Sequence, residues 1–175
     1  MKRPAIARPL DDEFPSAYAG YVSAAAGDDL FAILDAQMKD LESRAGKLGD
    51  EKALYRYEPE KWSIKELLAH VTDSERIFAY RALCIARGDE TPLPGFDEKT
   101  YAAASMADRR PLPHILGELR ALRAATVALF ESLDGEALER RGVANTRVVS
   151  ARALGWVIAG HFAHHMGVLR ERYGV

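Results

Sequence analysis

The stretch Val157-Ile158-Ala159-Gly160-His161-Phe162-Ala163-His164-His165-Met166-Gly167-Val168-Leu169 reads as a buried helix that carries three of the chain's five histidines. Residues four apart share one face of a helix, so His161 and His165 can turn two imidazoles toward a common point. Imidazole is the commonest metal-ligating side chain, and two of them among apolar neighbours make a metal site the first hypothesis. Ser150 is a suitable N-cap for this helix. Leu154, Val157, Ile158, His161, His165, Val168 and Leu169 then form its buried side. His164 falls toward the flank, where it either supports a ligand imidazole from behind or is solvated.

Three further helical patterns precede it. From Asp28 onward Leu30, Phe31, Leu34, Met38 and Leu41 recur at three- and four-residue steps, with Asp28 or Asp29 as N-cap and Gly46 to Gly49 as the stop. Ser63 and Glu66 make a capping box that opens a second helix with Ile64, Leu67, Leu68, Val71, Phe78, Ala82 and Ile85 inward, ended by Gly88. A third runs roughly from Pro113 to Leu133 with Ile115, Leu116, Leu119, Leu122, Val127 and Leu129 as its apolar side. Thr91-Pro92-Leu93-Pro94-Gly95 breaks regular structure between the second and third helices, and a connection of that length is functional or carries short helices. The pattern offers no strands beyond an extended Val148-Val149. The simplest architecture is all-α, an antiparallel four-helix bundle over residues 28–175. Residues 1–27, rich in Pro and small side chains, read as an extension packed on it through Tyr18 and Tyr21.

Two imidazoles hold a metal poorly, and His70, inside the second helix, is the candidate for the third. Three histidines leave a coordination position open for water or substrate, as catalytic rather than closed structural sites do, and a cation there can activate water near neutral pH. The bland reading of each histidine is a hydrogen-bonded core residue. Other metal patterns fail on the letters: Phe162 stands where a zincin has Glu, and no Glu-x-x-His occurs, as a di-iron bundle requires. There is no Gly-x-Ser-x-Gly elbow and no phosphate-binding glycine loop. Cys84, among Ala82, Leu83, Ile85 and Ala86, reads as a small buried hydrophobe, and His114 as a surface residue.

Lys and Arg number 24 against 26 Asp and Glu, a net charge of −2, which gives no electrostatic footprint for nucleic acid. No run is long enough to cross a bilayer, and no apolar segment follows Met1-Lys2-Arg3 as in a signal peptide. With a single cysteine there is no disulfide framework. A cytoplasmic protein acting on a small molecule, without nucleic-acid or membrane partners, is expected.

Trp62-Ser63-Ile64-Lys65-Glu66-Leu67-Leu68-Ala69-His70, Asp73-Ser74-Glu75-Arg76, Gly88-Asp89 with Pro92-Leu93-Pro94-Gly95-Phe96-Asp97, and Gly160-His161-Phe162-Ala163-His164-His165, in this order and spacing, resemble the DinB-like superfamily with its YfiT-like metalloenzymes. The resemblance covers roughly residues 28–173. It implies an up-down-down-up bundle with a long connection between helices two and three. It also implies a divalent metal held by one histidine of the second helix and two of the fourth, which fall on His70, His161 and His165. The family includes S-transferases that use a low-molecular-weight thiol and a mycothiol-dependent isomerase, so water or such a thiol is the expected nucleophile for hydrolysis or S-transfer to a small electrophile. A homodimer is compatible with the family pattern, although no surface stripe calls for one.

Asp73 and His164 are candidates to orient the ligand imidazoles. Trp62, Arg81 and Phe96, with Tyr101, are candidates for the pocket mouth, Arg81 for an anionic substrate group. Zn, Ni, Fe and Mn are not distinguished by the sequence. The alternative is a non-catalytic bundle, stabilised by metal or by the histidines alone, that serves as a protein-interaction module.

Overall fold

The computed structural model describes residues 5–175. Its helices are α1 (Ala19–Ala24), α2 (Leu30–Ala45), α3 (Ile64–Ala86), α4 (Glu98–Ala104), α5 (Leu112–Glu131), α6 (Gly135–Glu139) and α7 (Ala151–Tyr173), with a hairpin of β1 (Arg141–Ala144) and β2 (Arg147–Ser150) ahead of the last. Three of the four long helices begin at a side-chain cap, and α5 begins after Pro111 without one. Asp29 Oδ1 accepts from the Phe31 and Ala32 amides at 3.0 and 3.2 Å. Ser63 and Glu66 cap α3 reciprocally, and Ser150 Oγ accepts from the Ala153 amide at 3.0 Å. Gly174, at φ 69°, ends α7 in the left-handed region.

Cross-helix contacts give the course of the chain. Asp50 bonds both Lys65 and the Leu112 amide, and further along the same two helices Glu75 meets Arg123, so α3 and α5 run parallel. Tyr173 Oη donates to the Trp62 carbonyl while His165 meets His70, so α7 runs against α3. Arg123 reaches the Leu34 carbonyl and Arg120 reaches Glu42, so α2 runs against α5. The bundle is up-down-down-up. A parallel α3–α5 pair cannot be joined by a tight turn: the chain must return the length of α3, 23 residues or about 34 Å. Residues 87–111, with α4 in their middle, make that return.

The core divides in two. One apolar block gathers Leu30, Leu34, Phe78, Phe130, Trp156 and Ile158, the other Leu41, Ile64, Leu68, Ile115, Phe162 and Leu169. Between them lies a buried polar band that includes Ser74, Glu75, Arg123 and His161. Arg123 donates to Glu75 through Nε and Nη2 at 2.9 and 2.8 Å and to the Leu34 carbonyl through Nη1 at 2.9 Å. Residues 5–27 pack on α7: Ile6 is buried, Trp156 Nε1 donates to the Ala7 carbonyl at 3.0 Å, and α1 crosses at Gly160, where a Cβ would collide with the Tyr21 carbonyl.

The hairpin takes in the extended Val148-Val149 in β2 and adds a paired strand, β1, that the sequence pattern did not show. Its turn, Asn145-Thr146, has φ of 50° and 63°, the two left-handed residues a two-residue hairpin needs, made here without the glycine that announces one. Leu93 of the returning connection pairs with it, its amide on the Val143 carbonyl and its carbonyl on the Asn145 amide, both at 2.9 Å. Cys84 is half-buried rather than buried, because α3 turns that side toward solvent beside Tyr80. On α5, Leu122 and Leu129 are only partly covered, while Arg123 and Phe130 hold the interior. No helix among the described residues is long and apolar enough to cross a membrane.

Candidate metal centre

His70 projects from α3, and His161 and His165 from successive turns of α7. His161 Nε2 lies 3.1 Å from His70 Nε2 and 3.1 Å from His165 Nε2. His70 and His161 are buried, at 7% and 5% exposure, and His165 is half-buried. The rings are held by their neighbours: Trp62 lies over His70 with centroids 4.6 Å apart, and Tyr21 and Phe78 present edges to His161 at 5.3 and 5.8 Å.

Burial drives all three imidazoles toward the neutral form, with their mutual repulsion adding to the effect on His161 and His165. His70 is lowered to about 4, His161 to about 3 and His165 to about 2. A neutral imidazole nitrogen either donates one proton or offers one lone pair. His161 Nε2 therefore satisfies one of its two 3.1 Å contacts and leaves the other without a shared proton. A cation answers all three lone pairs at once. Ligand nitrogens at 2.0–2.1 Å from a tetrahedral cation stand about 3.3 Å apart, and cis positions of an octahedral one stand about 3.0 Å apart. Both separations from His161 Nε2 suit either, and the ligand atoms of all three lie within 4.8 Å of one another, so the three histidines form a site able to bind a divalent metal ion.

The cluster opens into a cavity of about 290 Å³. Trp62, Arg81, Phe96 and His164 stand on its wall, and Phe96 also packs against Tyr101. Asp73 is not among the lining residues: its carboxylate pairs with Arg76 at 3.3 Å, and burial raises its pKa. Glu66, the other carboxylate near His70 in sequence, is committed to the Ser63 cap and to Arg56. Tyr18, Tyr21, Ser74, Glu98 and Asn145 also line the cavity, and sequence reasoning missed them as site residues. The tyrosines come from the N-terminal segment, Glu98 from the first turn of α4 and Asn145 from the hairpin tip. Only Ser74, four residues after His70 on the same face of α3, carried a signal in its spacing.

Four similarities to known proteins bear on this arrangement. A protein of Oceanobacillus iheyensis named "putative metal-dependent hydrolase" is 25% identical over 142 residues, 76% of this chain and 81% of its own. The fold is that of YfiT from Bacillus subtilis, described as "a probable metal-dependent hydrolase with an unusual four-helix bundle topology", at a TM-score of 0.69 and 19% identity over 95% of this chain and 93% of that one. It is also similar to a mycothiol-dependent maleylpyruvate isomerase at a TM-score of 0.65 and 13% identity, over 78% of this chain and 58% of that one. A sequence profile of the DinB superfamily matches residues 33–169, a span that runs from the first turn of α2 to the last turns of α7 and takes in all three histidines, and the chain belongs to that superfamily.

Proposed function

We propose that the chain is a metal-dependent enzyme acting on a small electrophile, with a divalent cation held by His70, His161 and His165. The observation that carries this reading is the convergence of three neutral imidazoles on an open cavity, with His161 Nε2 3.1 Å from both His70 Nε2 and His165 Nε2. A buried structural metal would be closed on all sides by ligands. A cation bound there supplies Lewis acidity, which activates water or a low-molecular-weight thiol at neutral pH. The names of the Oceanobacillus and Bacillus relatives support hydrolysis, and that of the isomerase supports use of a thiol.

The chain's own residues set the conditions. Trp62 and Tyr21 fix the ring planes of His70 and His161 and keep bulk water off them. Burial, followed by the charge of Glu98, raises the Tyr21 phenol, so its Oη keeps its proton through neutral pH and can donate a hydrogen bond to a bound substrate. Phe78 and Phe96 give the cavity an apolar wall.

Metal analysis of the purified chain beside the His70→Ala/His165→Ala variant tests the reading. About one divalent ion per chain, lost in the variant, supports it. Failure to take up Zn, Ni, Mn or Fe on reconstitution would leave the fold as a histidine-stabilised interaction module. Turnover of ester or amide substrates without added thiol favours hydrolysis, and turnover only with thiol favours S-transfer.

A further inference from the structure

Arg81 and Arg123 are equally buried, at 3% exposure each, and differ in what answers their charge. Arg123 has the Glu75 carboxylate. Arg81 donates through Nη2 to the Pro94 carbonyl at 2.7 Å, and its Cζ lies 5.7 and 6.0 Å from the ring centroids of Phe78 and Phe96. Among the described residues no carboxylate is in ion-pair range of it. A guanidinium has five N–H donors and does not lose its proton in a protein. Burying one without a counter-charge is costly, and one carbonyl leaves most of its donors unused.

A second donor faces the same space. Ser74 is fully buried, lines the cavity, and its Oγ has no hydrogen-bond partner. Ser74 and Arg81 are seven residues apart on α3, which puts them on one face. A long helical side chain leans toward the N-terminus of its helix, which brings the Arg81 guanidinium back toward Ser74 and the histidines.

We propose that Arg81 and Ser74 form a carboxylate-binding subsite, and that the substrate is a small monocarboxylate with its reacting atom several bonds from the carboxyl group. The subsite stands on its own geometry; its link to a reacting atom rests on the metal-dependent reading above. A single positive charge matches a carboxylate rather than a phosphate dianion, and a planar guanidinium edge takes a carboxylate through paired hydrogen bonds. His70 and Arg81 lie about 16 Å apart along α3, a span shortened by the lean of the arginine. Glu98, exposed on α4 and facing the same cavity, disfavours a second negative group at that end.

The test is calorimetric titration of the full chain, stripped of metal and dialysed free of chelator, with butyrate, benzoate and 3-phenylpropanoate, beside benzamide and inorganic phosphate. At least one monocarboxylate binds, benzoate at least about tenfold more tightly than benzamide, and Arg81→Gln weakens the carboxylates by about tenfold or more. Ser74→Ala, which removes a hydroxyl with no protein partner, weakens them about threefold or more with the melting temperature unchanged. Arg81→Gln also loses the tether to Pro94; if it fails to fold, Ser74→Ala decides. Binding of none of the three acids, equal binding of benzamide, tighter binding of phosphate, or unchanged affinity in Ser74→Ala would overturn the proposal. Because metal is absent throughout, carboxylate binding in a chain that takes up no metal would sink the metal reading and keep the subsite.

Discussion

Lowering the pH from about 7.5 to about 5.5 should cost the metal-stripped protein about 4 kcal/mol of stability through three histidines alone. In the unfolded chain each titrates near 6.5. In the folded chain His70, His161 and His165 lie at about 4, 3 and 2, because burial disfavours their charged forms. A depressed folded pKa means that stability is complete above the unfolded value and is lost as pH falls from there toward the folded one. At pH 5.5 each unfolded imidazole is stabilised by protonation by about 1.4 kcal/mol, while its folded counterpart stays neutral. That sum requires only that the folded values lie about one unit or more below 5.5. Urea unfolding followed by circular dichroism at both pH values measures it. The variant His70→Gln/His161→Gln/His165→Gln, in the same experiment, should lose most of the dependence. Metal at a hundredfold its dissociation constant adds about 2.7 kcal/mol at pH 7.5. A loss below about 1 kcal/mol in the stripped wild type would refute the reasoning, because the cluster would then accept protons in the folded state.

Other perturbations should separate the supports of the fold. Glu75→Gln leaves Arg123 buried without its counter-charge and should cost about 3–5 kcal/mol, whereas Glu75→Met/Arg123→Met should unfold close to wild type; an equal loss in both would contradict this account. Gly160→Ala pushes the Tyr21 backbone off α7, with an expected cost of about 1–3 kcal/mol and faster amide exchange across α1. Thr146 holds a β-branched side chain at φ 63°, so Thr146→Gly should raise stability by about 1 kcal/mol in thermal melts. Burial raises the Glu13 carboxyl, but hydrogen bonds from Arg152, Ser150 and the Leu10 amide lower it further, to below its ordinary value. Its contribution is therefore present above about pH 4.3 and lost as pH falls through the folded value. Glu13→Gln should flatten the acid limb of the stability curve.

The long helices were legible because each is amphipathic at a helical period and three begin at a side-chain cap. Leu30, Leu34 and Leu41, or Ile64, Leu68 and Ile85, are buried where their spacing puts them. The hairpin was not legible, since Asn145-Thr146 lacks glycine and the strands are four residues each. Arg123 was not legible either: a buried arginine looks like a solvated one until Glu75 and Leu34 come to it from other helices. The same division runs through the site. His161 and His165 declare themselves by sitting four apart on one apolar helix, and the partner of that pair had to come from a helix facing it. Tyr21, Glu98 and Asn145 reach the cavity only because α1 crosses Gly160 and the return from α3 to α5 passes the hairpin tip. Those are facts of topology, which no local spacing records.

The returning connection has an evolutionary consequence. The histidines stand on two helices locked by the core, while much of the space above them is walled by Phe96, Glu98 and Asn145 from segments outside the four long helices. Residues 87–111 carry no ligand nitrogen, and α3 and α5 are also fixed to each other directly, through Asp50 and the Glu75–Arg123 pair. Such a scaffold lets a lineage keep one reactive centre while editing part of the wall above it, at Phe96 and Glu98, in a stretch that carries no ligand.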